Sequence, residues 1–167
     1  DRAADHEVMD NKAFYELPLL KNLHGRAWKQ LGSSGSGNHF VEFGTVEITE
    51  KDEVLGIEAG NYVGLLSHSG SRGLGANIAN QYTKIAKQKR RLPGEANNLA
   101  WLDLNEEEGM EYWIAMNLAG DYASACHHII HAKIAKQLGR KPITMVENHH
   151  NFAWKETLAD GREYVRT

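Results

Sequence analysis

The chain has 167 residues, 41% of them hydrophobic and 25% charged, which is enough to bury the core of one domain or of a large part of one. A formal net charge of -3 excludes a broadly basic surface, so any contact with RNA or DNA must be local. The single cysteine, Cys126, excludes an intramolecular disulfide and favours a reducing, cytoplasmic location. No apolar run reaches the length of about 18 residues that predicts a membrane span.

The first half of the chain predicts helix, strand, strand and helix, in that order. Residues 2–24 mix apolar and charged positions, which indicates a helix or a helix with a turn. The segment FVEFGTVEI, 40–48, alternates apolar and polar residues and predicts a strand. A second strand is predicted over 61–67, as a neighbour of the first. The next helix is predicted over 76–91, where cations close the segment.

The second half predicts a long helix followed by a short strand. Apolar residues recur at helical spacing over 106–138, which indicates one helix ending at Gly139 or two helices broken near Gly120. Residues 92–98 predict a loop, and 143–146 predict a strand. The fold class expected from these elements is α+β, with a mixed or antiparallel β core and flanking helices.

Histidines lie at the ends of predicted strands in three similar contexts. His39 lies beside Gly37 and Asn38, His68 lies between two serines, and His149 and His150 lie between two asparagines. Imidazole nitrogen binds Mn, Fe and Zn, and small or amide neighbours can orient such ligands. Three unrelated turn histidines remain the alternative, but their shared context favours one common site.

A Gly/Ser-rich loop lies between the second strand and its helix. The loop runs SGSRGLG from Ser69 to Gly75, with Arg72 at its centre. Backbone N–H groups at a helix start bind phosphate, and an arginine adds two parallel hydrogen-bond donors. The loop therefore predicts an anion site beside His68.

Four segments together resemble the RtcB family of GTP- and manganese-dependent RNA ligases. These segments are GSGNHFVE (35–42), HSGSRGLG (68–75), YWIAMNLAGDYA (112–123) and NHHNFA (148–153). The resemblance implies an enzyme of tRNA splicing and RNA repair. Its substrates would be one RNA end with a 2′,3′-cyclic phosphate or 3′-phosphate and a second RNA end with a 5′-hydroxyl. The two would be joined through a GMP–histidine intermediate.

Carried over by position, the resemblance assigns metal and RNA contacts. It implies that His39, His68 and His150 are ligands of a centre with two manganese ions. His149 competes with His150 for the role of metal ligand, because adjacent side chains point in different directions and only one of them can face the site. Only the family register favours His150. Arg72 corresponds to an arginine that binds the RNA phosphate.

The resemblance also assigns the nucleotide contacts. Asn38 and Asn151 correspond to residues that contact the phosphates of GTP, and Glu42 corresponds to the acceptor for the guanine ring. Phe40 belongs to the same nucleotide-binding segment. The expected partners are thus GTP and RNA, with tRNA as the expected substrate and no membrane.

Other family features have no counterpart in the chain. The family's Asp and Cys metal ligands belong upstream of these segments, and its guanylylated histidine belongs downstream in a His-Gly-Ala-Gly-Arg context. We therefore expect 1–167 to be one segment of a larger, RtcB-like but incomplete catalytic domain, with a helical insert at roughly 75–139. Its partners would include the remaining parts of the same polypeptide, and the segment alone would be inactive. Ser33-Ser34 and Cys126-His127 replace Thr-Leu and Asn-Arg, which indicates a divergent branch.

Two further clusters favour structural interpretations. His127, His128 and His131 have zinc-helix spacing but lack the protease Glu, which favours exposed histidines on an amphipathic helix. The cationic segment 84–91 favours a solvated helix end over an RNA contact. Two alternative functions remain: a non-catalytic derivative that binds RNA or phosphate, and a histidine-metal hydrolase that needs no GTP.

Overall fold

A computed structural model describes residues 5–167 of the chain. Two short 3₁₀ helices, Glu7–Asp10 and Gly94–Leu99, accompany the main elements. The α-helices are α1 (Ala13–Glu16), α2 (Pro18–Gln30), α3 (Arg72–Lys89) and α4 (Glu107–Leu138). The strands are β1 (Phe40–Ile48), β2 (Gly60–His68), β3 (Trp154–Thr157) and β4 (Glu163–Arg166). Helices together with antiparallel strands confirm the α+β fold class.

The hydrophobic core lies among the helices. In α3 the buried residues Leu74, Ile78, Tyr82 and Ala86 recur every fourth position, so they form one apolar stripe along the helix. This stripe packs into a cluster contributed by α1, α2 and α4. Each fully buried large apolar side chain contributes about 1.5–3 kcal/mol to stability. The helices therefore supply the rigid part of the fold.

Helix α4 is continuous over 32 residues, which decides between the one-helix and two-helix alternatives. Gly120 does not break the helix. A Cβ atom there would lie 2.8 Å from the ring of Phe152, so glycine permits the close approach of the segment that carries His149 and His150. The helix ends at Gly139, in the left-handed conformation with φ +63°, as predicted.

Each pair of strands forms an antiparallel two-stranded sheet. The register of β1 and β2 sets Phe40 opposite His68 and Glu42 opposite Leu66. Because side chains alternate between the faces of a strand, these four residues share one face of the sheet. The pairing thus brings the end of β2 next to the start of β1, where His39 lies.

Some element predictions are confirmed and others are wrong. The strand over 40–48 is confirmed, but 143–146 forms no strand, since it has no partner strand within residues 5–167. The helical segment predicted over 2–24 ends too early, because a separate helix starts at Pro18 and continues to Gln30. Residues 2–4 of that prediction lie outside the described residues. The loop over 92–98 contains a 3₁₀ helix, and the β3–β4 hairpin was not predicted.

No helix in residues 5–167 combines the length and the apolar character that crossing a membrane requires.

Candidate metal and phosphate site

The histidines at the three predicted strand ends lie side by side. The ring centroids of His39 and His68 are 5.9 Å apart, and those of His68 and His150 are 5.0 Å apart. Phe40 stacks on His68 with a centroid distance of 5.7 Å. The structure therefore brings together residues separated by long stretches of chain, while their role as metal ligands stays a prediction.

The two adjacent histidines at positions 149 and 150 occupy different surroundings. The His149 ring lies 5.3 Å from the ring of Phe152, which packs against α4 at Gly120. The His150 ring instead lies beside His68. This geometry favours His150 over His149 as the third member of the histidine cluster, which we define as His39, His68 and His150.

The surroundings of His39 disfavour its protonated form. Its Nδ1 atom is buried and has no hydrogen-bond partner among the described residues. Burial lowers the pKa of His39, and the positive charge of Arg72 and the neighbouring His68 lower it further. Neutral imidazole is the form that binds metal ions, so this environment suits a ligand.

The histidine cluster alone does not complete a metal site. Among residues 5–167, no three His, Cys, Asp or Glu side chains are arranged to hold one ion. A manganese ion would therefore need ligands in addition to those that this arrangement provides. The unpaired Nδ1 of His39 and the chemistry of three clustered imidazoles fit such a metal.

A cavity of about 400 Å³ opens beside the histidine cluster. Its lining includes the three clustered histidines with Asn38 and Asn151, and also apolar residues of α3 and α4 such as Ile78 and Met116. A volume of this order accommodates a small ligand. Glu42, by contrast, is exposed on β1 and does not line the cavity.

Arg72 begins α3 in an unusual backbone conformation. Its φ of +55° lies in the left-handed region, which costs a residue with a Cβ about 1–2 kcal/mol. Its Nε donates a hydrogen bond to the Ser33 hydroxyl at 3.2 Å. No Asp or Glu carboxylate within residues 5–167 forms a salt bridge with its guanidinium, so the charge is available to a bound anion.

Gly35 lets the two loops of the site meet. A Cβ atom at this position would collide with the Arg72 guanidinium and with the His39 ring. The backbone there has φ +124°, which also disfavours side chains with a Cβ. Glycine at position 35 therefore keeps the arginine beside the histidine cluster.

The start of α3 is less open to anions than the Gly/Ser pattern predicted. The backbone N–H of Gly73 donates a hydrogen bond to the side-chain oxygen of Gln30 at 3.0 Å. This amide is therefore already satisfied within the protein and does not face a ligand. The anion prediction for this loop then rests chiefly on Arg72.

The histidines of α4 correct the interpretation of that cluster as exposed. His127 Nε2 lies 3.2 Å from the carbonyl oxygen of Ser69, and His131 Nε2 lies 2.8 Å from the Ser67 hydroxyl. Burial lowers the pKa of His131, and His127 and His128 lower it further. Only His128 is exposed, and its Nε2 lies 3.3 Å from Glu147.

Helix α4 also anchors the loop before β1. The Tyr122 hydroxyl donates to the carbonyl oxygen of Ala27 at 2.7 Å, and the Gly32 N–H donates to Cys126 Sγ at 3.4 Å. Both side chains are buried, and burial raises the pKa of Cys126. The segment from Gly32 to His39 is therefore anchored to α4 at its first residue.

Two cations at the end of α3 pair with carboxylates instead of extending into solvent as predicted. Lys89 forms salt bridges with Glu106 and Glu108, and Arg90 pairs with Glu106 and lies over the ring of Trp101. These cations are therefore already engaged within the protein, and such surface pairs contribute little to stability.

The contacts of several residues around the site were not indicated by the sequence. Ser33, Ser67, His127 and His131 acquire their contacts from partners 39 to 64 positions away in the chain. Spacing alone does not reveal such contacts. The histidine pair one turn apart on α4 was the only available signal, and it indicated a different kind of site.

Comparison with known proteins places the chain beside one group of enzymes. The family model described as "tRNA-splicing ligase RtcB" matches residues 4–166. A tRNA-splicing ligase RtcB of Nanoarchaeum equitans is 30% identical over 177 aligned positions, covering 98% of this chain and 36% of that protein. The corresponding protein of Methanococcus maripaludis is 34% identical over 160 positions, covering 84% of this chain and 32% of that protein.

A third relative matches a shorter part of the chain. The tRNA-splicing ligase RtcB of Pyrococcus abyssi is 39% identical over 111 positions, which cover 63% of this chain and 12% of that protein. In these three comparisons the chain thus spans at most 36% of the relative's length.

Proposed function

The chain belongs to the RtcB family, and from this membership we propose that it serves in an RNA ligase of tRNA splicing or RNA repair. The ligase would join an RNA end with a 2′,3′-cyclic phosphate or 3′-phosphate to a 5′-hydroxyl end. This chain would supply metal and GTP-site residues, as one segment of a larger catalytic domain with its helical insert at α3 and α4.

One observation carries the proposal: the histidine cluster and a guanidinium without a carboxylate partner meet beside one cavity. His39 and His68 line this cavity, and both His68 and Arg72 lie close enough to His39 to lower its pKa. A purely structural arginine is expected to have a carboxylate partner nearby. Clustered imidazoles beside a guanidinium without a carboxylate partner instead suit a metal ion and a phosphate bound together.

Manganese fits the residues of the histidine cluster. His39, His68 and His150 would hold the metal through imidazole nitrogen, with further ligands supplied from outside the cluster. When bound, two such ions would neutralise phosphate charge and align the attacking and leaving oxygens. The protein's own contribution is to hold these three imidazoles close together.

The nucleotide contacts come from the residues that flank two of the histidines. Asn38 and Asn151 line the cavity, where their amide groups can donate hydrogen bonds to phosphate oxygens. Glu42 shares a sheet face with Phe40 and His68, so its carboxylate is available to accept hydrogen bonds from a guanine ring near the site. We propose that these residues and Phe40 bind GTP, and that the histidine that receives GMP is not among those of this chain.

Arg72 would bind the terminal phosphate of the RNA. Its guanidinium offers parallel donors that match a phosphate, whereas a lysine in its place would offer a single point charge. An anion between Arg72 and the metal would also relieve the repulsion between their positive charges. Such a role would offset the cost of the strained backbone at Arg72.

The proposal is tested by RNA binding to the full chain in the presence of manganese. We expect an oligonucleotide with a 3′-phosphate to bind more tightly than the same oligonucleotide with a 3′-hydroxyl. Arg72→Lys should remove most of this preference, while the exposed control Arg140→Lys should keep it. Equal binding of the two oligonucleotides to the unaltered chain would contradict the proposed phosphate site.

Incubation with labelled GTP and manganese tests the division of roles. We expect no covalent GMP on this chain alone, since the proposed acceptor histidine is not part of it. A covalent adduct would overturn the assignment of the chain as a supplier of binding residues only. Release of phosphate from the RNA end without GTP would instead favour a histidine-metal hydrolase.

A further inference from the structure

We propose that His127 and His131 of α4 are positioning residues that hold the end of β2 so that His68 faces the cavity. The inference rests on the proposed function of His68 as a metal ligand. The two helix residues bond to Ser67 and Ser69, which are the chain neighbours of His68 on either side. His68 is thus flanked by two attachments to one rigid helix.

The helix geometry explains how both attachments form together. His127 and His131 are separated by four positions, so their side chains project from the same face of α4, one turn apart. That spacing is about 5–6 Å, which is comparable with the distance between residues two apart on a strand. The two histidines therefore match the spacing of Ser67 and Ser69 along the end of β2.

The alternation of side chains along β2 explains how these attachments orient His68. Ser67 and His68 are adjacent in β2, so their side chains point to opposite faces of the sheet. The bond from Ser67 to His131 directs the serine face towards α4. The ring of His68 is then presented on the other face, towards His39 and His150.

The hydrogen-bond chemistry determines which ring nitrogen is the donor in one of the two histidines. A carbonyl oxygen only accepts, so His127 must donate its Nε2–H to Ser69. Its Nδ1 is turned towards Glu147, with 3.9 Å between the nearest atoms. The side chain of His127 is 12% exposed, which leaves little room for other orientations. By contrast, that of His128 is 55% exposed, and its contact within the described residues is with Glu147 rather than with β2.

Orientation of a ligand by its supporting contacts has a large effect on metal affinity. Loss of such a contact commonly weakens metal binding about 10–100-fold, although the contact does not touch the metal. We therefore expect His131→Ala to weaken manganese binding by about this factor. His131→Gln should recover part of the affinity, because the glutamine amide can still bond to the Ser67 hydroxyl.

The test compares His127→Ala, His131→Ala and His131→Gln with the control His128→Ala, all in the full chain. The first measurement is the imidazole 1H–15N NMR spectrum, without metal. We expect the His68 ring resonances to shift in both β2-facing alanine variants and to return towards the original in His131→Gln. His128→Ala should leave them in place. Unchanged His68 resonances in His127→Ala and His131→Ala would overturn the inference.

The second measurement is manganese affinity, followed by the loss of the EPR signal of the free ion. Weaker binding in His131→Ala, with partial recovery in His131→Gln, is expected. Equal weakening by His128→Ala, or no weakening in His131→Ala, would contradict a positioning role. If the unaltered chain binds no manganese while the His68 resonances still respond as expected, the proposed metal site fails and the β2 attachment stands.

Thermal unfolding of each variant separates positioning from general damage. If His131→Ala lowers the melting temperature strongly, the comparison moves to Ser67→Ala, which removes the same hydrogen bond by deleting one hydroxyl. Ser67→Ala is expected to shift the His68 resonances in the same direction as His131→Ala. In the double variant, the two effects should not add, because both remove one interaction. Additive effects would overturn the inference.

Discussion

The helical core and the histidine edge, by which we mean the loops and strand ends around the histidine cluster, differ in how fully their buried polar groups are paired. Among the helices, large apolar side chains such as Phe14 and Leu20 are completely buried, and the Tyr122 hydroxyl is paired with a backbone carbonyl. At the histidine edge, His39 Nδ1 and the Ser69 hydroxyl are buried without a partner among the described residues. The helices thus supply most of the buried apolar packing, while the residues around the histidine cluster include buried polar atoms that can still bind a partner.

The contrast shows how the loops of the site are held in position although they have no hydrophobic core of their own. The loops around His39 and His68 are attached to α4 through Cys126, His127 and His131. The helix is held in place by the hydrophobic core. Substitutions in the core should therefore change stability, whereas substitutions at the edge should change binding.

The largest expected effect belongs to the core. Phe14→Ala removes a fully buried ring that the helices surround, and it should lower the free energy of unfolding by about 3–5 kcal/mol. Phe43→Ala is the matched control on β1, where the side chain is 54% exposed, and it should cost less than about 1 kcal/mol. Urea unfolding measures both. Similar losses in the two variants would contradict the division between the core and the sheet.

Gly35→Ala should separate binding from stability. The new Cβ would push against Arg72 and His39, so we expect at least a 10-fold loss of affinity for a 3′-phosphorylated oligonucleotide. Gly37→Ala is the matched control: its backbone also has positive φ, at +80°, but nothing lies within 4 Å of the added Cβ. Both variants place a residue with a Cβ at positive φ, which costs about 1–3 kcal/mol. If the two lose affinity equally, crowding at Gly35 does not shape the site.

Tyr122→Phe should produce a smaller loss of stability. It deletes the hydroxyl that satisfies the buried carbonyl of Ala27, and an unsatisfied carbonyl costs about 1–3 kcal/mol. Tyr62→Phe removes an exposed hydrogen bond to the carbonyl of Glu58 and should stay within about 0.5 kcal/mol of the original. Denaturant unfolding compares the two. An equal cost would show that burial of the α2–α4 bond is unimportant.

The smallest expected effect is on pH dependence. The pKa of His131 is lowered in the folded state, so the unfolded chain binds a proton more readily as the pH falls below about 6.5. His127 and His128 disfavour its positive charge, while Glu147 favours it. Stability should therefore decrease from pH 7.5 to pH 5, and less steeply in His131→Gln. Equal slopes for the two proteins would show that His131 does not titrate in this range.

Local patterns predicted the long elements because each pattern reflects a local preference. Alternation over Phe40–Ile48 gave the strand with its bounds, and helical spacing gave most of α3 and α4. The β3–β4 hairpin was missed because each strand has only four residues. Asp160 and Gly161 in its turn are a signal that could have indicated it.

The candidate site was predictable only in part. Shared context at strand ends pointed to His39, His68 and the pair His149 and His150, and the structure brings the rings of His39, His68 and His150 together. The attachment of His127 and His131 was not predictable, because it depends on where β2 lies against α4 rather than on local sequence. The same limit explains why 143–146 was expected to form a strand: local pattern does not tell whether a partner strand is near.

The central claim is that the histidine cluster binds a divalent metal, and pulsed EPR of manganese bound to the full chain tests it most directly. Nitrogen nuclei of coordinated imidazoles modulate the manganese electron spin echo. We predict modulation from histidine nitrogen that weakens in His39→Ala, His68→Ala and His150→Ala, and persists in His149→Ala. Bound manganese without nitrogen modulation, or with modulation unchanged in the three cluster variants, would contradict the claim.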